Sequence, residues 1–199
     1  MIGIIDYGAG NLLSVKKAFD FLKVESVTIS SADEFTRIEK MVLPGVGAFN
    51  ASMLALKARG LHNLVVEWIQ ADKPFLGICV GLQMLFEESD EFGTSAGLGL
   101  LPGRVPKFRQ GKVPQIGWNQ VKQSQESPLW EGIADDAFFY FVHSYYIDTP
   151  DPSITIGQTE YYITYTSAVN NGRCYAVQFH PEKSGALGMK LLDNWVNLS

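Results

Sequence analysis

Pro74-Phe75-Leu76-Gly77-Ile78-Cys79-Val80-Gly81-Leu82-Gln83-Met84-Leu85-Phe86 is an apolar run broken by two glycines, a cysteine and a glutamine. Its first part, Phe75 to Ile78, reads as a strand covered on both faces, and Val80 to Phe86 follows directly as an apolar helix. A strand that turns straight into a helix belongs to a sheet layered with helices. The upstream sequence repeats that alternation. Met1 to Ile5 reads as a buried strand, Asp6-Tyr7-Gly8-Ala9-Gly10-Asn11 as a Gly-rich turn with Asn11 as helix cap, and Leu12, Val15, Phe19 and Leu22 as one helix face. Val24 to Ile29 and Met41 to Leu43 read as strands, and Leu54 to Gln70 as helix interrupted at Gly60.

Downstream the character changes. Gly and Pro crowd between Gly93 and Gly117, then short strand-like segments follow at Phe138 to Val142, Ile154 to Thr159 and Tyr161 to Ala168. Cys174 to Phe179 reads as another apolar strand, and Ala186 to Val196 as a closing helix with Leu187, Leu191, Leu192 and Trp195 on one face. The acidic run Glu87, Glu88, Asp90 and Glu91 reads as the solvated end of a helix. With no repeat and no linker, the expectation is one α/β domain over residues 1–199. Its central sheet is mostly parallel and flanked by helices, with an antiparallel-leaning insertion in the second half.

The composition narrows the function classes. Of 199 residues, 46% are apolar and 19% charged, which excludes disorder and predicts a full core. A net charge of −5 without a Lys/Arg cluster argues against binding nucleic acid. Two cysteines are too few for a disulfide framework and fit a reducing compartment. Met1 to Asp6 lacks the basic flank of a signal peptide, and no apolar stretch approaches the ~20 residues of a bilayer span. A soluble cytoplasmic protein is expected.

Common phosphate and metal motifs fail. Gly97, Gly99 and Gly103 miss the dinucleotide spacing, Gly111-Lys112 is followed by Val113, and none of the three histidines is spaced for zinc. Gly77-Ile78-Cys79-Val80-Gly81 does fit a chemical pattern. A tight strand–turn–helix corner exposes its central residue, and glycines two before and two after avoid collisions, as in a nucleophile elbow. A helix N-terminus also offers free N–H groups to an anion. The plain alternative is a small core hydrophobe, which suits Cys174 inside its apolar strand. A thiolate nucleophile needs a proton shuttle and an orienting group. His180-Pro181-Glu182 follows a strand at its carboxyl end, where open α/β sheets place their sites, and Pro181 stiffens the turn. His62 reads as surface, and His143 as either a strand cap or a site residue.

Gly77-Ile78-Cys79-Val80-Gly81-Leu82-Gln83 together with His180-Pro181-Glu182 resembles the class I (triad) glutamine amidotransferases across nearly the whole chain. Asp6 to Asn11, Pro44-Gly45-Val46-Gly47-Ala48-Phe49, Pro114-Gln115-Ile116-Gly117-Trp118-Asn119 and His180 to Gly185 are similar to the branch that serves as glutaminase subunits of imidazole glycerol phosphate synthase. Gln115 stands where relatives commonly carry histidine, a departure on a segment expected near the partner. The resemblance implies Cys79 as nucleophile, His180 as proton carrier and Glu182 as its orienter. It implies an oxyanion hole from the N–H groups of Val80 and Val46, the latter on a loop whose peptide turns over. Glutamine binding falls to Gly47, Gln83 and the backbone of Ser144 and Tyr145. The implied partner is a (β/α)₈-barrel cyclase subunit in a heterodimer, with Asn11, Trp118, Tyr140 and Lys183 near the interface. Trp118 and Tyr140 read about equally well as core aromatics. No cofactor and no metal are implied. Rival readings are the glutaminase of pyridoxal phosphate synthesis, a cysteine peptidase or γ-glutamyl hydrolase, and a silent binding subunit.

Overall fold

The computed structural model describes residues 1–198, apart from the side chain of Thr36. The chain begins with β1 (Ile2–Ile5), α1 (Leu12–Phe21), β2 (Ser26–Ile29), β3 (Lys40–Gly45), α2 (Phe49–Ala58), α3 (His62–Gln70), β4 (Phe75–Cys79) and the single turn α4 (Val80–Gln83). Three short strands follow, β5 (Glu88–Ser89), β6 (Ser95–Ala96) and β7 (Arg104–Val105), which form their own small sheet. The remainder is β8 (Gln115–Gln123), β9 (Ala137–His143), β10 (Thr155–Tyr161), β11 (Ile163–Asn171), β12 (Cys174–Val177) and α5 (Gly185–Asn197).

The main sheet has the order β2-β1-β3-β4-β12-β11-β10-β8-β9. From β2 to β12 the strands pair parallel, and from β12 outward every pairing is antiparallel. Each residue of β1, β4 and β12 is buried, as expected for strands covered on both faces. β8 and β9 alternate instead, because one face of that wing looks outward. The second-half strands β8 to β11 are antiparallel, as expected, and extend the central sheet from its β12 side. Asn11 caps α1, its Oδ1 accepting from the Ser14 N–H at 3.3 Å.

Three expectations change. The helix expected over Val80 to Phe86 stops at Gln83, because the next carbonyls are claimed from outside. Met84 accepts from Leu98 N–H, Leu85 from Leu100 and Leu101, and Phe86 from Gly99. The acidic run is not a helix end: Glu88 lies in β5, Glu87 accepts from the Gly103 N–H at 2.9 Å, and Glu91 accepts from the Phe49 N–H at the start of α2. In α5, Leu191, Leu192 and Trp195 are buried but Leu187 faces out. Gly188 takes the inner position because a Cβ there would lie 2.0 Å from the Pro181 carbonyl oxygen, so the helix sits directly on that turn.

Candidate active site

Cys79 is the last residue of β4 and the cap of α4, with φ 55° and ψ −108°. That is a strained backbone for a side-chain-bearing residue, and such strain concentrates at functional sites. The flanking glycines are sterically compelled. A Cβ on Gly81 would fall 1.9 Å from the Leu43 carbonyl oxygen, and one on Gly77 would lie 2.9 Å from the Gly81 oxygen. The corner is thus pressed against β3, whose Gly45 pairs in register with Cys79. The Pro44 to Gly47 loop therefore leaves β3 beside the sulfur.

β12 ends next to β4, and the chain passes through Gln178 and Phe179 to His180 and the 3₁₀ turn Pro181–Lys183. That turn brings His180 Nδ1 to 2.8 Å from Glu182 Oε1, with both side chains 1% exposed. His180 Nε2 and Glu182 Oε2 are buried with no hydrogen-bond partner among the described residues. Burial opposes protonation of His180, but the charge of Cys79 and its contact with the ring, with Glu182 behind, outweigh it and lift the imidazole to about 10. A cationic His180 facing sulfur is a group ready to protonate a leaving amine. The main chain around it is also clamped. His180 N–H donates to the Tyr140 carbonyl at 2.9 Å, Ser184 Oγ donates to the His180 carbonyl at 2.7 Å, and the same Oγ accepts from the Tyr140 N–H at 2.9 Å.

A cavity of about 270 Å³ opens over Cys79, lined by Val46, Gly47, Val80, Gln83, His143, Ser144, Tyr145 and His180, with Glu91 and Pro114 at its wall. This is just below the ~300–1,000 Å³ usual for ligand pockets, suited to a ligand of amino-acid size. All the residues expected to form the oxyanion hole and bind substrate thus meet at one place. Gln83 is more constrained than a free substrate ligand. Its Nε2 donates to the Tyr145 carbonyl and to Gln178 Oε1, both at 3.1 Å, so it also braces the cavity wall.

Two site residues escaped the sequence reading, and a third stood open in it. Gln178, fully buried, directs Nε2 to Cys79 Sγ at 3.7 Å; a glutamine inside an apolar strand was its only signal. Glu91 looked like one more solvated acid. His143, left open between two readings, is a buried wall residue: burial lowers it to about 4, so it is neutral, with Nδ1 2.8 Å from the Tyr145 carbonyl and Nε2 3.1 Å from the Tyr165 hydroxyl. Gln115 belongs to the same interior network, accepting from Tyr165 at 3.1 Å, which corrects its placement near a partner surface. Cys174 is inert core, its thiol pushed up to about 12 by burial and then by Asp72. His62, at the start of α3, pairs with the neighbouring Asn63 side chain at 3.1 Å, away from the cavity lining.

On the outer face of β8 and β9, Ile116, Trp118 and Phe138 are 60%, 56% and 51% exposed. Trp118 meets the half-buried Tyr140 edge-on at 6.2 Å, and Lys183 Nζ lies 6.0 Å from the Tyr140 ring. Trp118 is therefore a surface residue and not a core aromatic. Asn11 is occupied in capping α1, and its loop packs beside Pro44. Among the described residues no cluster of His, Cys, Asp and Glu is placed to hold a metal, and no helix is long and apolar enough to cross a membrane.

Residues 3–198 match the family model for glutamine amidotransferase class-I. The imidazole glycerol phosphate synthase subunit HisH of Desulfitobacterium hafniense is 46% identical over 99% of this chain and 95% of that protein. The HisH subunit of Nitrosomonas europaea is 48% identical over 98% and 97%. That of Methanocaldococcus jannaschii is 44% identical over the full length of both. In fold, the chain is similar to a glutamine amidotransferase crystal structure, with TM-score 0.77 and 16% identity over 98% of this chain and 96% of that one. It is similar also to a chain of the PurLQS structure from Thermotoga maritima, with TM-score 0.80 and 18% identity over 98% and 97%. The chain belongs to the class I glutamine amidotransferases, among the HisH subunits of imidazole glycerol phosphate synthase.

Proposed function

We propose that this chain hydrolyses L-glutamine at Cys79 and passes the ammonia directly to a cyclase subunit. The observation that carries the reading is the buried His180–Glu182 pair, 2.8 Å apart, facing a strained cysteine elbow at the floor of a small cavity. The Cys79 thiolate attacks the side-chain amide carbon, and the oxygen becomes an oxyanion held by the N–H groups of Val80 and Val46. Such preorganised donors are worth about 3 kcal/mol each. Collapse expels ammonia, which takes its proton from His180, and leaves a γ-glutamyl thioester. Water then attacks with His180 accepting its proton, and thiolate departs to give glutamate. Glu182 keeps Nδ1–H in place and balances the imidazolium. Gly47, Gln83 and the Ser144–Tyr145 backbone hold the substrate, and Glu91 supplies a carboxylate at the cavity wall that suits an α-ammonium group.

Ammonia released into water would be protonated and lose its lone pair, so the acceptor must be docked. The exposed apolar face of Ile116, Trp118 and Phe138, with Tyr140 and Lys183 at its edge, is the surface assigned to the (β/α)₈-barrel cyclase in a heterodimer. There the ammonia completes imidazole glycerol phosphate, in histidine biosynthesis. A cytoplasmic location fits two unpaired cysteines.

The test compares nitrogen sources in the reconstituted complex. Cys79→Ser should lower glutamine-dependent synthesis by about 10⁴-fold or more while synthesis from ammonium salts persists. A glutamine-like alkylator should label Cys79 and spare Cys174. Full glutamine-dependent turnover by the variant would overturn the reading.

A further inference from the structure

Tyr7 stands outside this machinery but touches it. Its side chain is 1% exposed and does not line the cavity. Its hydroxyl is buried with no hydrogen bond of acceptable geometry among the described residues, an arrangement that in native proteins calls for an explanation. A Cβ on Gly45 would lie 2.8 Å from that hydroxyl, 2.6 Å from Val80 Cβ and 2.9 Å from the Gly81 nitrogen. The Tyr7 oxygen is therefore packed against the base of the Pro44–Gly47 loop beside the elbow, outside the cavity lining.

Peptide planarity supplies the next step. In the Gly45–Val46 peptide, C=O and N–H point in opposite directions. If Val46 N–H turns into the cavity to meet an oxyanion, the Gly45 carbonyl turns into the protein interior. A buried carbonyl left without a donor carries its full desolvation penalty. On that side the Tyr7 O–H makes no hydrogen bond of acceptable geometry among the described residues, although the Ser52 hydroxyl lies close to it. It stays protonated in any working range: burial raises it to about 12, Ser52 pulls against this, and the charge of Cys79 adds to it.

We propose that the Tyr7 hydroxyl is a positioning group for the oxyanion loop, donating to the Gly45 carbonyl when the Gly45–Val46 peptide presents its N–H to the Cys79 site. This rests on the reading of Cys79 as glutaminase nucleophile. It makes Tyr7 part of what sets the population of the active loop, without contact to substrate.

Tyr7→Phe in the reconstituted complex tests it, since the ring volume is kept and only the hydroxyl is lost. Glutaminase kcat should fall about 3- to 10-fold, the net worth of one hydrogen bond, with KM for glutamine unchanged. Thermal stability should hold or rise, because an unpaired buried hydroxyl is removed. A purely structural tyrosine would lower Tm instead. Ser52→Ala should leave kcat as it is. The proposal is overturned by an unchanged kcat in Tyr7→Phe, by a fall in Tm with kcat and KM moving together, or by a Ser52→Ala variant that reproduces the loss. Failure of the parent reading would look different, since Cys79→Ser would then retain glutamine turnover.

Discussion

The parallel and antiparallel halves of the sheet are both rich in apolar residues, yet they place them differently. In β1, β4 and β12 every side chain is buried. In β8 and β9 one face packs inward through Phe139 and Phe141, while the other presents Ile116, Trp118 and Phe138 to solvent. The covered half holds a strained cysteine on a corner pressed against β3, where a side chain on Gly81 would collide with the Leu43 carbonyl. The open half leaves an apolar face exposed, the surface proposed above for the cyclase. The turn from His180 to Ser184 joins them. Its imidazole faces Cys79, while its main chain is bonded to the inner edge of Tyr140.

The largest expected effect lies at that junction. Glu182→Gln keeps an acceptor oxygen near His180 Nδ1 but removes the charge that balances imidazolium. Glutaminase kcat should fall about 10²- to 10⁴-fold with little change in KM. The same variant has a pH signature. His180 is raised to about 10 in the folded chain against 6.5 for the free side chain, so between those values the native state binds more protons. Its contribution to stability is complete below about 6.5 and disappears as pH rises through 10. Glu182→Gln removes part of what raises the imidazole, so the decline of Tm from pH 7 to 10 should become shallower. A turnover near wild type, or an unchanged Tm slope, would take Glu182 out of its orienting role.

The two halves were also unequally legible in the sequence. Buried runs such as Ile2 to Ile5 and Phe75 to Ile78 show as uninterrupted apolar segments, and α1 shows its period, so the parallel core could be read directly. The convergence of Cys79, His180 and Glu182 was legible because glycine and proline mark the corners that position them. β8 was hidden: it starts inside the Gly/Pro-rich stretch, and its outward residues mix Ile116 and Trp118 with Gln120 and Lys122. Glu91 and Gln178 were hidden for another reason. An acid in an acidic run and an amide in a strand acquire their roles only through neighbours distant in sequence, Phe49 and Cys79. The ending of α4 at Gln83 was likewise decided by Leu98 to Leu101, which the local pattern cannot show.

Matched truncations of tryptophan sharpen the contrast between the halves. Trp118→Ala, on the open face, should weaken cyclase binding about 30-fold or more if it is a central anchor, with Tm nearly constant. Trp195→Ala, 1% exposed beneath the parallel half, should cost about 3–5 kcal/mol of stability. Titration of the partner and thermal melts of the two variants would check this. Loss of stability in Trp118→Ala with normal partner affinity would move the docking surface elsewhere.

The smallest effect expected belongs to Lys183, which follows Glu182 and lies over the Tyr140 ring on the outer side. An exposed cation–π contact is worth about 0.5–1 kcal/mol, so Lys183→Ala should not abolish anything. Its position nonetheless couples the halves. The residue's own N–H is bonded to the His180 carbonyl at 3.0 Å, and the ring it covers belongs to the strand that receives the His180 N–H. On the docking proposed above, a cyclase pressing on Trp118 and Tyr140 would push on the main chain that carries the imidazole. Lys183→Ala should lower partner-stimulated glutaminase about 2- to 5-fold, the equivalent of that contact, while partner affinity changes less. Rates of the isolated chain, the complex and the ligand-occupied complex, measured beside a binding titration, separate the two. If affinity falls as much as stimulation, Lys183 is an ordinary rim contact, and the coupling runs through the Tyr140 backbone and Ser184 alone.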